Sequence, residues 1–181
     1  MSPVRLLLFL LIAALTWATP CSLQAGTNAK GTTVLLKNRE YGDALLEGIR
    51  AARSSIICSF YLFKITDSRN NQPRRIAEEL VNAGKRGVNV TVILERDAGT
   101  KDPLGEENRH TSAFLSRGGV KVRFDSPAIV THAKVAVIDG RFVFLGSHNL
   151  TQSALRRNNE LSVRIDSPEM AAEVTAYLER L

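Results

Sequence analysis

The residues best suited to chemistry lie in one short stretch of the sequence, between positions 130 and 149. They are His132, Lys134, Asp139, Gly146, Ser147 and Asn149. A neutral imidazole is a good nucleophile toward phosphorus, and an ordinary pKa of about 6.5 lets it serve as base or acid. A lysine and an amide can stabilise charge that builds up on phosphate oxygens. The combination suits attack on a phosphate ester.

The same stretch predicts a β-hairpin that would bring these side chains together. Asp139-Gly140 between two apolar runs favours a two-residue turn. Counting outward from that turn places Lys134 opposite Leu145 and His132 opposite Ser147. Because side chains alternate along a strand, we expect these polar residues and Asn149 to project from one face, beyond one end of the hairpin.

Apolar residues on both sides of the hairpin predict that it lies in the centre of a sheet covered on both faces. In the predicted register the face opposite the polar group carries Val135, Val137, Phe142 and Phe144. The face below the polar group carries Ala136, Ile138, Val143 and Leu145.

The spacing His-x-Lys-x4-Asp-x6-Gly-Ser-x-Asn resembles the HKD motif of the phospholipase D superfamily. Glu160 falls where that family carries its further acidic residue. The Ser59-Phe60-Tyr61 segment and the segment 83–90 are similar to the small nuclease-like members. The resemblance therefore spans most of the chain after residue 30.

The resemblance implies a role for each residue of the motif. His132 would attack a phosphodiester and form a phosphohistidine, which water then hydrolyses. Lys134 and Asn149 would stabilise the charge on the non-bridging oxygens, a role typically worth about 3 kcal/mol for each well-placed donor. Ser147 would add a hydroxyl contact or hold the neighbouring groups.

Two acidic residues are expected to support the site. Glu160, if it accepts a hydrogen bond from the other ring nitrogen of His132, fixes the tautomer that leaves the attacking nitrogen unprotonated. Asp139 lies at the far turn, so we expect it to brace the hairpin. A metal held by His132, Asp139 and His148 is disfavoured because the hairpin separates Asp139 from both histidines. We expect no cofactor.

Departure of the alkoxide requires a second imidazole, which the family takes from a second copy of the motif. Neither His110 nor His148 is followed by lysine at the second position. We therefore predict a twofold homodimer in which each subunit contributes His132, with repulsion separating the two pKa values. The alternative is that His148 pairs with His132 inside one chain.

Alternating apolar patterns predict an α/β fold with a central mixed β-sheet and helices on both faces. Strands are expected at 33–36, 55–65, 88–94, 120–124, the two arms of the hairpin and 161–165. Helices are expected at 41–53, 75–85, 108–116, 151–157 and from Pro168 to the chain end, with a long loop over 96–109.

Residues 1–25 are typical of a secretory signal peptide, because an apolar run from Leu6 to Ala14 follows Arg5. Cleavage could follow Ala18 or Ala25, and an uncleaved anchor is the alternative. Residues 26–31 form a linker, and residues 32–181 form the catalytic domain. Export makes Cys58 a buried packing residue rather than a reactive thiol.

The function expected from the sequence is a periplasmic or secreted, metal-independent endonuclease that cleaves DNA, with RNA as a second substrate. The formal net charge of +6 favours polyanionic partners. The alternatives are a phospholipase D that acts on phospholipid at a membrane, and a nucleic-acid-binding module without catalytic activity.

Overall fold

The computed structural model describes residues 32–96 and 103–181, which form a seven-stranded mixed sheet with helices on both faces. The strands are β1 (Thr32–Lys37), β2 (Ser55–Phe60), β3 (Asn89–Leu94), β4 (Lys121–Phe124), β5 (Lys134–Ile138), β6 (Phe142–Gly146) and β7 (Leu161–Asp166). The helices are α1 (Arg39–Ala51), α2 (Gln72–Lys85), α3 (Pro103–Arg117), α4 (Gln152–Arg156) and α5 (Pro168–Glu179).

The strand order across the sheet is β1-β7-β6-β5-β2-β3-β4. Strands β2, β3 and β4 run parallel, and the other neighbouring pairs run antiparallel. The predicted α/β fold class is confirmed. The predicted leader and linker lie outside the described residues, and none of the described helices is long and apolar enough to cross a membrane.

Two hydrophobic cores cover the two faces of the sheet. Helices α1 and α2 close the larger core, in which Tyr41, Phe60 and Phe144 are among the largest buried side chains. Helix α5 closes the smaller core with Ala171 and Leu178 packed over the strands. Cys58 lies in the larger core, where burial raises the pKa of its thiol to about 12. The prediction that Cys58 is a packing residue is confirmed.

Three helices begin earlier than the sequence predicted: α1 by two residues, α2 by three and α3 by five. The Asn71 side chain accepts a hydrogen bond from Arg74 N at 2.9 Å and caps α2, whose first turn contains Pro73. Helix α3 begins at Pro103, within the stretch expected to be a loop up to Arg109. Proline suits a first helical turn because the N–H groups there have no partner within the helix. Strand β2 ends at Phe60 rather than continuing to residue 65.

The predicted hairpin register is wrong by one residue. Strands β5 and β6 pair Ile138 with Phe142 and Val135 with Leu145, so Arg141 belongs to the turn. Arg141 N still donates to Ile138 O at 3.1 Å, while the Arg141 carbonyl accepts Ser167 N at 3.0 Å and its guanidinium pairs with Asp166 at 2.6 Å.

The corrected register also changes which side chains share a face. Phe144 lies on the same face as Ala136 and Ile138, in the core under α1 and α2. Val143 lies on the face of Val135 and Val137, under α5. Lys134 and His132 therefore do not stand opposite Leu145 and Ser147, and the chain beyond β6 must bring Ser147 to the site.

Gly146 permits an unusually close approach of β6 to β7. Gly146 pairs with Ser162, and a Cβ atom built on Gly146 would lie 2.4 Å from Ser162 Cα and 2.5 Å from Ser162 Cβ. Contacts this short cannot be relieved by a side-chain rotation, because one of them is to the backbone. Glycine is therefore required at this position by packing.

We predict that Gly146→Ala lowers the free energy of unfolding by about 1–3 kcal/mol or more, because the added methyl overlaps Ser162. Gly84→Ala is the matched control, since a Cβ there meets nothing within 4 Å. Alanine in α2 should leave stability unchanged or raise it by up to about 1 kcal/mol. Urea denaturation measures both, and a Gly146→Ala protein as stable as wild type would contradict the close approach.

Candidate active site

His132 and Lys134 lie at the end of the sheet where β2 ends and β5 begins. Lys134 pairs with Phe60, and Tyr61 N donates to Ala133 O at 2.9 Å, which extends the pairing beyond both strands. The His132 side chain is exposed. Its ring meets the edge of the Tyr61 ring, with centroids 4.4 Å apart and planes at 64°. Tyr61 thus supports the imidazole while leaving it open to solvent.

The Lys134 side chain is buried beside the exposed imidazole. Its Nζ donates to the His132 carbonyl at 2.9 Å and lies 5.0 Å from the centroid of the Tyr61 ring. Burial lowers the pKa of Lys134 from its ordinary value, and the negative charge of Glu160 partly opposes that shift. A partly desolvated ammonium attracts an anion more strongly than one in bulk water does. The imidazole and the ammonium therefore share one short piece of backbone.

Ser147 and Glu160 form the other side of this end of the sheet. The Ser147 hydroxyl bonds to Glu160 Oε2 and accepts Leu161 N at 3.1 Å. Asn158 Nδ2 donates to Glu160 Oε1 at 3.0 Å. Both carboxylate oxygens thus have partners other than the His132 ring, so Glu160 does not take the expected position beside that imidazole.

The observed β6–β7 pairing explains this difference. Because Gly146 lies opposite Ser162, the backbone N–H of Ser147 donates to Leu161 O at 3.0 Å and its hydroxyl falls next to Glu160. Glu160 acts on the site through its charge on Lys134 instead.

Asn149 carries a buried polar atom without a partner. Its Oδ1 accepts no hydrogen bond from any of the described residues. The next residue, Leu150, donates its N–H to Leu62 O at 3.0 Å, which places Asn149 beside the segment that follows Tyr61. An unsatisfied buried amide is costly, and rotation of the amide presents either its oxygen or its NH2 group. Asn149 can therefore offer a hydrogen bond to a phosphate oxygen.

Asp139 lies at the opposite end of β5 and holds the hairpin in place. Its carboxylate accepts the backbone N–H groups of Arg53, Ser54 and Ser55 at 2.8–3.1 Å. Burial alone would raise the pKa of this carboxyl, but these donors outweigh burial and hold the pKa below its ordinary value. The strand length separates Asp139 from His132, so Asp139 has a bracing position and does not reach the phosphate.

His148 is wholly buried and has a partner at each ring nitrogen. Nδ1 lies 2.7 Å from Ser162 Oγ, Nε2 lies 2.8 Å from Asn38 O, and the ring stacks on Tyr41 at 4.4 Å. Burial lowers the pKa of His148, although Asn38 and Glu160 oppose the shift. These contacts exclude His148 as the acid that assists His132.

The described residues also contain no cluster of three or more His, Cys, Asp or Glu that could hold a metal ion.

Asn38 is a supporting residue that the sequence analysis missed. Its backbone adopts a left-handed conformation with φ of 51°, its N–H donates to Glu160 O, and its Oδ1 accepts Glu160 N, each at 2.9 Å. An asparagine between a predicted strand and a predicted helix could have indicated this residue, because asparagine tolerates positive φ better than most residues do. No sequence pattern indicated that Ser162 and Tyr41 contact His148, because Tyr41 is distant from it in the sequence and Ser162 lies on a separate strand.

Comparison with known proteins connects this arrangement to a family. A family model described as cardiolipin synthase, PLD-like domain, matches residues 45–181. The mitochondrial cardiolipin hydrolase of Danio rerio is 32% identical over 130 residues, which are 70% of this chain and 50% of the relative. A phospholipase D of Rickettsia conorii is 33% identical over 96 residues, which are 53% of this chain and 45% of the relative. The chain thus spans about half the length of these relatives.

Two solved structures share the fold over nearly their whole length. Nuc from Salmonella typhimurium, a phospholipase D family member, has a TM-score of 0.69 at 24% identity and covers 83% of this chain and 93% of its own. NucT from Helicobacter pylori has a TM-score of 0.68 at 23% identity, and the match covers 83% of this chain and 95% of NucT. At these identities the likeness shows the fold alone.

The seven-stranded sheet and the central hairpin form a mixed α/β domain with the fold of these two structures. With the family match over residues 45–181, the chain belongs to the phospholipase D superfamily. Members of this superfamily are phosphodiester hydrolases and transferases.

We predict that His148→Ala lowers the free energy of unfolding by about 2–4 kcal/mol, because it leaves a cavity against Tyr41 and removes two buried hydrogen bonds. His110→Ala on the exposed side of α3 is the control and should change stability by less than about 0.5 kcal/mol. The lowered pKa of His148 means that its contribution is present above the unfolded pKa and is lost as pH falls. Denaturation between about pH 7 and pH 5 should show a smaller pH dependence in His148→Ala than in wild type.

Proposed function

We propose that this protein is a metal-independent endonuclease that hydrolyses DNA without sequence preference, with RNA as a second substrate. The observation that carries the proposal is the exposed imidazole of His132 beside the buried ammonium of Lys134, which is hydrogen-bonded to the His132 carbonyl. This pair presents a nucleophile to solvent and keeps a positive charge where a phosphate would bind. Asn149 supplies a third polar group that has no partner within the described residues.

The reaction we propose has two steps that mirror one another. The unprotonated nitrogen of one His132 attacks phosphorus, the P–O bond to the leaving alkoxide breaks, and the alkoxide takes a proton from a second, protonated imidazole. Water then attacks the phosphohistidine and gives a proton to that second imidazole, and the P–N bond breaks. Lys134 and Asn149 stabilise the charge on the non-bridging oxygens in both steps.

The second imidazole is proposed to be His132 of another copy of the chain. Only one His-x-Lys motif is present in the sequence, and the contacts of His148 exclude it from this role. Exposed apolar side chains flank the site, with Val130 at 65%, Leu161 at 59% and Leu145 at 42% exposure. Covering such side chains in a dimer stabilises by about 1.5–3 kcal/mol for each one fully buried. These features support a homodimer with a shared site.

Nucleic acid is the proposed substrate because of charge and size. The chain has a formal net charge of +6. Arg157, Asn158 and Asn159 are exposed in the loop that leads to Glu160, where backbone phosphates would pass. The shared fold extends over nearly the whole of Nuc and NucT. The phospholipase D and the cardiolipin hydrolase are instead about twice as long as the region that matches this chain.

Two other functions remain as competing hypotheses. A phospholipase D acting on phospholipid is supported by the similarity to a cardiolipin hydrolase and to the cardiolipin synthase domain, and by the exposed apolar side chains beside the site. A nucleic-acid-binding module without turnover is the second, and retention of every motif residue argues against it. The apolar run in residues 1–25 supports export to the periplasm or the medium, and an uncleaved leader would anchor the protein to a membrane.

We predict that His132→Ala reduces the rate of plasmid nicking at least about 1,000-fold, because it removes both the nucleophile and the acid. His110→Ala should retain wild-type activity, since that exposed histidine lies on α3. The rate is measured on supercoiled plasmid with and without EDTA. Nicking by the His132→Ala protein would refute the mechanism, and loss of wild-type activity in EDTA would refute metal independence.

The shared site predicts how mixed dimers behave. When wild-type and His132→Ala chains are refolded together, a site with one mutant imidazole is inactive, so activity should follow the square of the wild-type fraction. A linear dependence would show that each chain acts alone. Native mass measurement of the wild type should find two copies.

The same purified protein should discriminate the substrate classes. Plasmid and RNA are tested beside vesicles of cardiolipin and of phosphatidylcholine. Turnover of the vesicles with no nicking of plasmid would show that the protein is a phospholipase rather than a nuclease. Binding to DNA that weakens with salt, without turnover of any substrate, would identify a binding module.

A further inference from the structure

A buried pair of carboxyl groups lies directly behind His132. Glu95 follows β3 and is 6% exposed, and Asp125 follows β4 and is 3% exposed. Glu95 Oε2 accepts Thr131 N at 2.6 Å, and Asp125 Oδ1 accepts Arg96 N at 2.6 Å. Two acids in contact within a protein interior are rare, because their charges repel and neither is solvated.

Burial and the closeness of the two acids favour a proton held between them. Asp125 Oδ2 is buried and accepts no hydrogen bond from an amide or hydroxyl group of the described residues, whereas the Glu95 carboxyl is its neighbour. The pKa of Glu95 is raised to about 7, chiefly by burial, with further contributions from the hydrogen bond to Asp125 and from the charge of Asp125. The N–H of Thr131 opposes it. A proton shared between the two carboxyls would therefore satisfy Asp125 Oδ2 below about pH 7.

The two neighbours of the His132 side chain, Thr131 and Tyr61, are both connected to Glu95 by hydrogen bonds. Thr131, whose N–H binds the Glu95 carboxylate, immediately precedes His132 and is itself buried. Asn108 donates through Nδ2 to Glu95 O at 3.1 Å and to Tyr61 O at 2.9 Å. Tyr61 in turn meets the His132 ring. The peptide that carries the imidazole and the ring that packs on it are thus tied to the same strand end.

We propose that Glu95, through the proton it shares with Asp125, is a positioning residue for His132. The inference rests on the proposed function, in which His132 is the nucleophile. Glu95 touches neither substrate nor the reacting atoms. It fixes the Thr131–His132 peptide, and so sets where the imidazole stands relative to Lys134. Loss of the shared proton leaves two adjacent buried carboxylates, and their repulsion displaces Glu95 together with the Thr131–His132 peptide, even though an ionised carboxylate is the stronger acceptor for Thr131 N.

Other charged and titratable groups surround the pair. Arg96 adjoins Glu95 in the chain, and Arg109 on α3 lines the same small cavity as Arg96 and Phe124. Tyr61 and His132 lie on the side of the site. Neither arginine is among the groups that shift the pKa of Glu95, which burial and the adjacent Asp125 dominate.

The activity test compares two variants of one residue. Glu95→Gln preserves an acceptor for Thr131 N and gains an amide donor for Asp125, so it imitates the protonated pair. At about pH 6 its kcat should be within about twofold of wild type, while Glu95→Ala should lower kcat at least about tenfold with little change in KM. At about pH 8.5 the Glu95→Gln protein should exceed wild type by about threefold or more, because it has no proton to lose.

Equal losses in Glu95→Gln and Glu95→Ala, or wild-type kcat in Glu95→Ala, would overturn the positioning role. If Glu95→Ala does not fold, the pH profile of Glu95→Gln against wild type decides. An identical profile in the two proteins would also overturn the proposal.

A measurement that does not depend on activity separates this inference from the proposed function. The amide proton of Thr131 is followed by NMR as pH is raised from about 5 to 9 in wild type and in Glu95→Gln. The resonance should move with a midpoint near the raised pKa of Glu95, about 7, in wild type and stay fixed in Glu95→Gln. A wild-type resonance that does not titrate would overturn the shared proton, even if the enzyme proves to act on a different phosphodiester.

Discussion

The arrangement of the candidate site depends on how Asp139 holds the β5–β6 hairpin. Its carboxylate accepts three consecutive backbone N–H groups from the turn between α1 and β2. That contact fixes the closed end of the hairpin against β2, so β5 and β6 deliver their other ends to one edge of the sheet. His132 and Lys134 emerge from one strand there, and Ser147 and Asn149 follow the other. A residue that never meets the phosphate thus sets the position of those that would.

At the opposite end, polar side chains are held by a network of hydrogen bonds while the imidazole of His132 remains open to solvent. Ser147, Glu160 and Asn38 bond to one another, and His148 is enclosed between Asn38 and Ser162. The rigidity comes from residues with two or more partners. The imidazole of His132 is exposed and is supported by the Tyr61 ring. A nucleophile on a rigid frame loses little conformational entropy when it reaches the near-attack geometry.

The order of elements and the location of the site could be predicted from the sequence because they depend on local patterns. Alternation, the Asp139-Gly140 turn and the motif spacing are all local. The register could not be predicted, because the Asp139-Gly140 signal does not determine whether Arg141 pairs across the hairpin or belongs to its turn, as it does here. The partners of Glu160 and His148, and the Glu95–Asp125 pair, join residues far apart in the chain. Such contacts depend on packing between elements, which periodicity does not encode.

The central claim is that His132 carries the phosphoryl group between the two steps. It is tested most directly by quenching turnover of a nucleic-acid phosphodiester in alkali, which preserves phosphohistidine, and by locating the adduct by peptide mass spectrometry. The account predicts an adduct on the peptide that contains His132, absent from the His132→Ala protein. Turnover that leaves the His132 peptide unmodified, or an adduct on another residue, would contradict it.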